Sequence, residues 1–92
     1  MRTFGFGRYT HIVSAVQVAP KFSNLLEIED WSCHSGFNGT EWSGSGRLGV
    51  NSTRYTKTAM AVPGDWIVEI SPLDFHVFDD AEFQREFKPC SP

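Results

Sequence analysis

Two aromatic and two cationic side chains flank a glycine-rich stretch in the middle of this chain. They are Trp42, Arg47, Arg54 and Tyr55, set around Gly44-Ser45-Gly46-Arg47-Leu48-Gly49. A guanidinium grips phosphate through two parallel hydrogen bonds, and an aromatic face stacks a base. The set is therefore a candidate site for a small anionic, nucleotide-derived ligand. The plainer alternative makes Trp42 and Tyr55 cross-strand partners in a hairpin, with the arginines in water. Aromatic cross-strand pairs are common sheet stabilisers, and this reading is favoured. The hexapeptide itself fits G-x-G-x-x-G, which needs a strand before it and a helix N-terminus after it to approach a pyrophosphate. Neither flank supplies that setting, so dinucleotide binding is not expected.

Other groups of reactive residues are weaker. Cys33-His34, with His11 and His76 elsewhere, does not match the ligand spacing of structural zinc sites, and no metal or other cofactor is expected. Cys33 and Cys90 read as separate thiols in a reducing compartment. Asp79, Asp80, Glu82 and Glu86 form an acidic helix start, which the helix dipole favours at the first three positions. No nucleophile sits in an elbow motif, and nothing isolates a carboxylate pair for acid–base work, so no enzyme is expected. A second candidate surface is aromatic: Phe4, Phe6, Phe37 and Trp42. If contiguous and exposed, they would mark a protein interface.

The elements that must position these residues follow from pattern. Residues 1–8 are glycine-rich, with Phe4 and Phe6, and read as an edge strand or a mobile arm. Tyr9 to Val18 alternates with apolar residues on both faces, which predicts a strand covered on both sides. Ser23 to Trp31 predicts a short helix, with Asn24 as cap and Glu27 as its reciprocal partner, and with Leu25, Ile28 and Trp31 facing a sheet. Residues 32–56 are rich in Gly, Ser and Thr and predict a loop or a hairpin, Trp42 on one arm and Leu48 to Tyr55 on the other. Thr56 to Val62 predicts a strand. Pro63-Gly64 then sets a turn whose second centre needs positive φ, with Asp65 bonding the turn's amides. Strands at Trp66 to Ile70 and Asp74 to Phe78 follow, then a helix capped at Asp79 or Asp80 and stopped by Pro89. Phe83 and Phe87 fall four apart on its inner face.

Composition bounds the class. Ninety-two residues, 40% of them hydrophobic, fit one domain spanning 1–92 with a single core. Eight Lys and Arg against eleven Asp and Glu give a net charge of −3, which argues against general nucleic-acid coating. No apolar run approaches the roughly 20 residues of a membrane helix. The N-terminus lacks an apolar run of signal-peptide length, so secretion is not expected. The expected fold is α+β: a small, twisted, mainly antiparallel sheet, open or barrel-like, with two short helices. The expected core is Ile12, Val16, Leu25, Ile28, Trp66, Val68, Phe78 and Phe83.

Three stretches carry a resemblance. HIVSAVQVAPKFSNLLEIEDW at 11–31, VPGDWIVEI at 62–70 and FHVFDDAEFQREFKP at 75–89 resemble a family of small bacteriophage accessory proteins. In that family a strand ending Glu-Ala-Val-Gln leads to an Asn-Leu-x-Glu helix, a Pro-Gly-Asp-Trp-Ile turn and strand, and a closing strand and helix. The chain departs where the family continues Arg-Gly after Trp-Ile-Ile, here Glu69-Ile70. It departs again where the family has Gly-Glu before the last strand, here Leu73-Asp74, and at Phe87, where the family has Tyr. Residues 32–58 carry no resemblance. The resemblance implies a phage origin, this strand–helix–strands–helix layout and no established activity; with no export signal read, the expected setting is the host cytoplasm. Asp65 and Trp66 transfer as turn and core positions only. The expected function is non-enzymatic: binding and modulating a host or host-defence protein. So small a sheet with an aromatic arm also leaves a homodimer open. Sequestration of a nucleotide-derived signal and a minor structural role in the virion are the alternatives.

Overall fold

The computed structural model describes residues 2–6, 12–34, 36–42, 47–52 and 59–89, with the side chains of residues 2–6, Ile12, Phe22, His34, Lys88 and Pro89 outside the description. In chain order the elements are β1 (Arg2–Phe6), β2 (Ile12–Gln17), α1 (Phe22–Ser32), β3 (Cys33–His34), β4 (Phe37–Asn38), β5 (Thr40–Trp42), β6 (Leu48–Val50), β7 (Ala59–Ala61), β8 (Trp66–Ser71), β9 (Asp74–Phe78), α2 (Asp80–Glu86) and β10 (Phe87–Pro89). The fold is α+β, and every strand pairing among the described residues is antiparallel. Five strands form the main sheet in the order β10-β1-β2-β8-β9. β3-β4 and β5-β6-β7 form two smaller sheets.

β2 shows why the main sheet has this place. Val13 and Ala15 are buried on one face, while Val16 packs on the other, so the strand needs a layer on each side. β8 repeats the pattern. Trp66 and Val68 join the cluster with Val13, Ala15, Phe83 and Phe87, whereas Ile67 joins the cluster with Val18, Leu25, Ile28, Leu48, Val50, Ala61 and Phe75. Chain length suggests one core; the structure has two clusters, because one sheet is covered on both faces. α2 supplies one cover, over a cluster that Phe87 of β10 joins from within the sheet, and α1 with the β5-β6-β7 sheet supplies the other. Of the expected core, Leu25, Ile28, Trp66, Val68 and Phe83 are buried, and Val16 and Phe78 are half-buried. The Ile12 side chain lies outside the described residues.

The helices differ from expectation at their ends. α1 begins two residues before Asn24, with Lys21 at the cap position and no side-chain cap bond. Asn24 therefore sits inside the first turn, and its amide reaches back instead. Its Oδ1 accepts from Ala19 N at 2.8 Å, and its Nδ2 donates to Gln17 O at 3.4 Å. This ties the β2–α1 connection. α2 is capped by Asp79 in a reciprocal box with Glu82. It ends at Glu86, where Phe87 N donates to Phe83 O, and does not run on to Pro89. The chain leaves as β10, an edge strand beside β1, where a proline removes no ladder bond on the open side.

The turn at Pro63-Gly64 forms as read. Gly64 has φ of 100°, Asp65 N donates to Val62 O, and Val62 N donates to the Asp65 carboxylate. Gly64 N to Val18 O and Val18 N to Asp65 O fasten the turn to the end of β2. The next residue, Trp66, locks α2. Its ring stacks on Phe83 at 3.8 Å and 3°, and its Nε1 donates to Asp80 Oδ1 at 3.0 Å. Bonds from Trp66 and Gln84 hold the Asp80 carboxyl below its ordinary range. Phe87 also stacks on Phe83, at 4.9 Å and 17°. Truncating Phe83 to alanine removes the ring that contacts both Trp66 and Phe87. The Phe83→Ala variant is expected to lose about 3–5 kcal/mol of stability, read from urea unfolding.

Candidate functional site

The C-terminal end of α1 and the start of β5 meet at a buried corner. Ser32 is fully buried; its hydroxyl donates to Glu29 O at 3.2 Å and lies 2.7 Å from Thr40 Oγ1. Ser32 has one hydroxyl hydrogen, so Thr40 is the donor in the second bond. Gly39 N donates to Ser32 O, and Asn51 N donates to Gly39 O. Asn51 Nδ2 adds a bond to Asn38 O. The corner closes this tightly because residue 39 has no side chain. A Cβ there would stand 2.5 Å from Ser32 O and 2.7 Å from the Phe75 ring.

Beside the corner lies a concavity of about 250 Å³, lined by Glu29, Cys33, Asn38, Thr40, Glu41 and Trp42. α1 supplies Glu29, Cys33 follows the helix as its cap, and β5 supplies Thr40, Glu41 and Trp42. β5 is the edge of its sheet, so successive residues on opposite faces both border a hollow that opens along that edge. Trp42 is 44% exposed. An aromatic wall with two carboxyl side chains suits a cationic or amide-bearing group and opposes an anion.

The sequence-derived candidates distribute as follows. Trp42 lines the concavity. The hairpin expected within 32–56 is present, but Trp42 has Leu48 as its register partner. Arg47 is exposed just before that partner and does not line the concavity. Arg54 and Tyr55 lie outside the described residues, as do Gly44 to Gly46, Cys90 and His11. Leu48 and Gly49, the last residues of the G-x-G-x-x-G hexapeptide matched by position, lie in β6, where a dinucleotide site needs a helix start. Phe37 is half-buried against the core cluster of α1. Phe4 and Phe6 are on β1, their side chains outside the description. No three His, Cys, Asp or Glu side chains come together as metal ligands among the described residues, and no described helix is long and apolar enough to cross a membrane.

A second polar cluster joins the small sheet to β9. The buried Asp74 accepts from Ser52 Oγ at 2.7 Å and Ser71 Oγ at 3.3 Å, and pairs with His76 Nε2 at 3.0 Å. Burial pushes the Asp74 carboxyl up. The bond from Ser52, then the charge and hydrogen bond of His76 and the bond from Ser71, outweigh burial and hold it below its ordinary range. The serines give their hydrogens to the carboxylate, whereas a hydrolytic triad needs a serine facing the imidazole.

No family model, curated protein or solved structure matches this chain. The site is therefore read from its own residues. Sequence patterning singles out none of Glu29, Asn38, Thr40 and Glu41, and weighs Cys33 only as a thiol and a metal ligand. The signal that marks them is the acidic last turn of α1 next to an exposed tryptophan.

Two outcomes test these joints. Gly39→Ala is expected to cost about 1–3 kcal/mol through overpacking of the corner, measured by thermal unfolding. Asp74 has a lowered folded-state pKa, so its stabilising contribution is complete above the unfolded carboxylate value and is lost as pH falls through the folded value. Below about pH 4 the native protein should lose stability more steeply than Asp74→Asn, which should already be weaker at pH 7.

Proposed function

We propose that this chain is a non-enzymatic accessory protein of bacteriophage type that acts by binding and modulating a host or host-defence protein in the host cytoplasm. The observation that carries this reading is Trp42, a large aromatic left 44% exposed on the wall of a concavity beside a buried, hydrogen-bonded corner. Tryptophans in such settings are enriched among the residues that dominate protein interfaces. A positive-φ residue supports the phage resemblance. Leu73 has φ of 61°, a left-handed conformation that favours glycine, and it stands where the resembling proteins carry glycine. That fits a divergent member which keeps the turn and has lost the residue suited to it.

The anionic-ligand reading is less well supported. Its described members, Trp42 and Arg47, do not share the concavity, and the two glutamates that do would repel phosphate.

The test is a pull-down of the tagged chain from host lysate, run beside Trp42→Ala with melting curves of both. The expected result is a stoichiometric host protein retained by the native chain. Trp42→Ala should weaken its retention roughly thirty-fold, about 2 kcal/mol, with an unchanged melting temperature. Equal retention by the variant would remove Trp42 from the interface and sink the reading.

A further inference from the structure

The two helices obey opposite rules of charge. α2 has acidic residues in its first turn, Asp80 and Glu82, and Arg85 in its last, as the helix dipole favours. α1 has Lys21 at its N-terminal cap, no acidic residue in its first turn, and Glu29 and Asp30 in its last turn with no basic residue there. Both ends of α1 work against the dipole. The negative end of the helix and its carboxylates thus add to one another on the side where Glu29 and Cys33 line the concavity. Trp42 and Glu41 stand across from them on β5. Leu26, 50% exposed, is on the same flank of α1, three residues before Glu29 and seven before Cys33.

We infer that this concavity is a receptor for a guanidinium or ammonium side chain, presented on a basic segment of a partner protein. The inference rests on the reading of Trp42 as an interface residue and assigns the chemistry that it recognises. A cation over the indole face is attracted by the ring, and two glutamates and a helix C-terminus add charge complementarity. The hollow of about 250 Å³ holds one side chain and not a folded domain, so the partner enters with a projecting residue. Leu26 offers an apolar contact to a neighbour of that residue. A nucleic acid is opposed by the same carboxylates.

The probe is a pair of short acetylated and amidated peptides, Gly-Arg-Gly-Arg-Gly and Gly-Gln-Gly-Gln-Gly, titrated into the whole chain to millimolar concentration. The indole N–H resonance of Trp42, assigned with Trp42→Phe, gives the readout. The arginine peptide should produce a saturable shift that weakens as salt rises. The glutamine peptide should not. Glu29→Gln with Glu41→Gln should weaken arginine-peptide binding about tenfold. Glu29→Lys should abolish it while raising the melting temperature by about 2–6 °C, because a cation suits the last turn of α1. That pairing separates a binding role from a structural one. Equal shifts with both peptides, no shift with either, or binding unchanged in the double variant would each overturn the inference. A concentration-dependent dimer abolished by Trp42→Ala, with the arginine peptide silent, would assign the face to a second copy and overturn it too. A host protein lost on Trp42→Ala but retained by the double glutamine variant would leave the interface standing and remove only its preference for a cation.

Discussion

Trp66, Ile67 and Val68 are consecutive residues of β8, and all three are buried. Side chains alternate across a strand, so three buried in a row require a layer on both faces of the sheet. In a chain of 92 residues that demand organises the rest. α2 must cover Trp66 and Val68, and it does so through the Phe83 stack and the bond from the indole to Asp80. α1 and the β5-β6-β7 sheet must cover Ile67, and their inward residues Leu25, Ile28, Leu48, Val50 and Ala61 are correspondingly buried. The Pro63-Gly64 turn feeds β8 into register against β2. Its bonds to Val18 fix the point at which the alternation starts.

The two covers are stabilised differently. α2 is only seven residues long, and its capping box and dipole-matched charges help it to form locally. α1 has neither a side-chain cap nor favourable terminal charges. It is held by burial of Leu25, Ile28 and Ser32 and by the Asn24 bonds to the end of β2. A helix that depends on packing for its stability leaves its exposed flank free to carry residues that local preference disfavours. Glu29 and Asp30 are such residues.

Legibility in the sequence followed the range of the forces involved. The strand at β2, the turn at Pro63-Gly64, the paired strands β8 and β9 and a cap at Asp79 or Asp80, in the structure Asp79, rest on period-two alternation, turn chemistry and capping. These act within a few residues and can be read directly. The hairpin of β5 and β6 was legible from glycine content and from the rarity of a long structureless loop in so small a domain. β10 was not, because its partner β1 lies at the far end of the chain and nothing in Phe87-Lys88-Pro89 signals a strand. The Asn24 cap was misplaced because the Asn24 amide is taken by Ala19 N and Gln17 O at the end of β2, while α1 starts at Phe22 with no side-chain cap. At the site, Trp42 was legible as a large aromatic in a polar stretch. Its neighbours Glu29 and Cys33 were not, since only the fold brings the end of α1 against β5.

The residues that line the concavity come from 29–42, a single run of fourteen positions. Ser32 and Thr40 close that run with a buried bond across eight residues, and Gly39 allows the close approach. A short closed segment has little loop entropy to lose, and its buried hydroxyl pair leaves no polar atom that must find a new partner. Asn51 then ties the segment to the hairpin through two bonds, to Gly39 O and Asn38 O. A partner meeting this surface would find Asn38, Gly39 and Thr40 already tied, so little ordering free energy would be subtracted from contacts to that part of the wall. The corner thus links the fold to the site: the same absence of a side chain at residue 39 that lets α1 reach the small sheet also fixes the hollow beside Trp42.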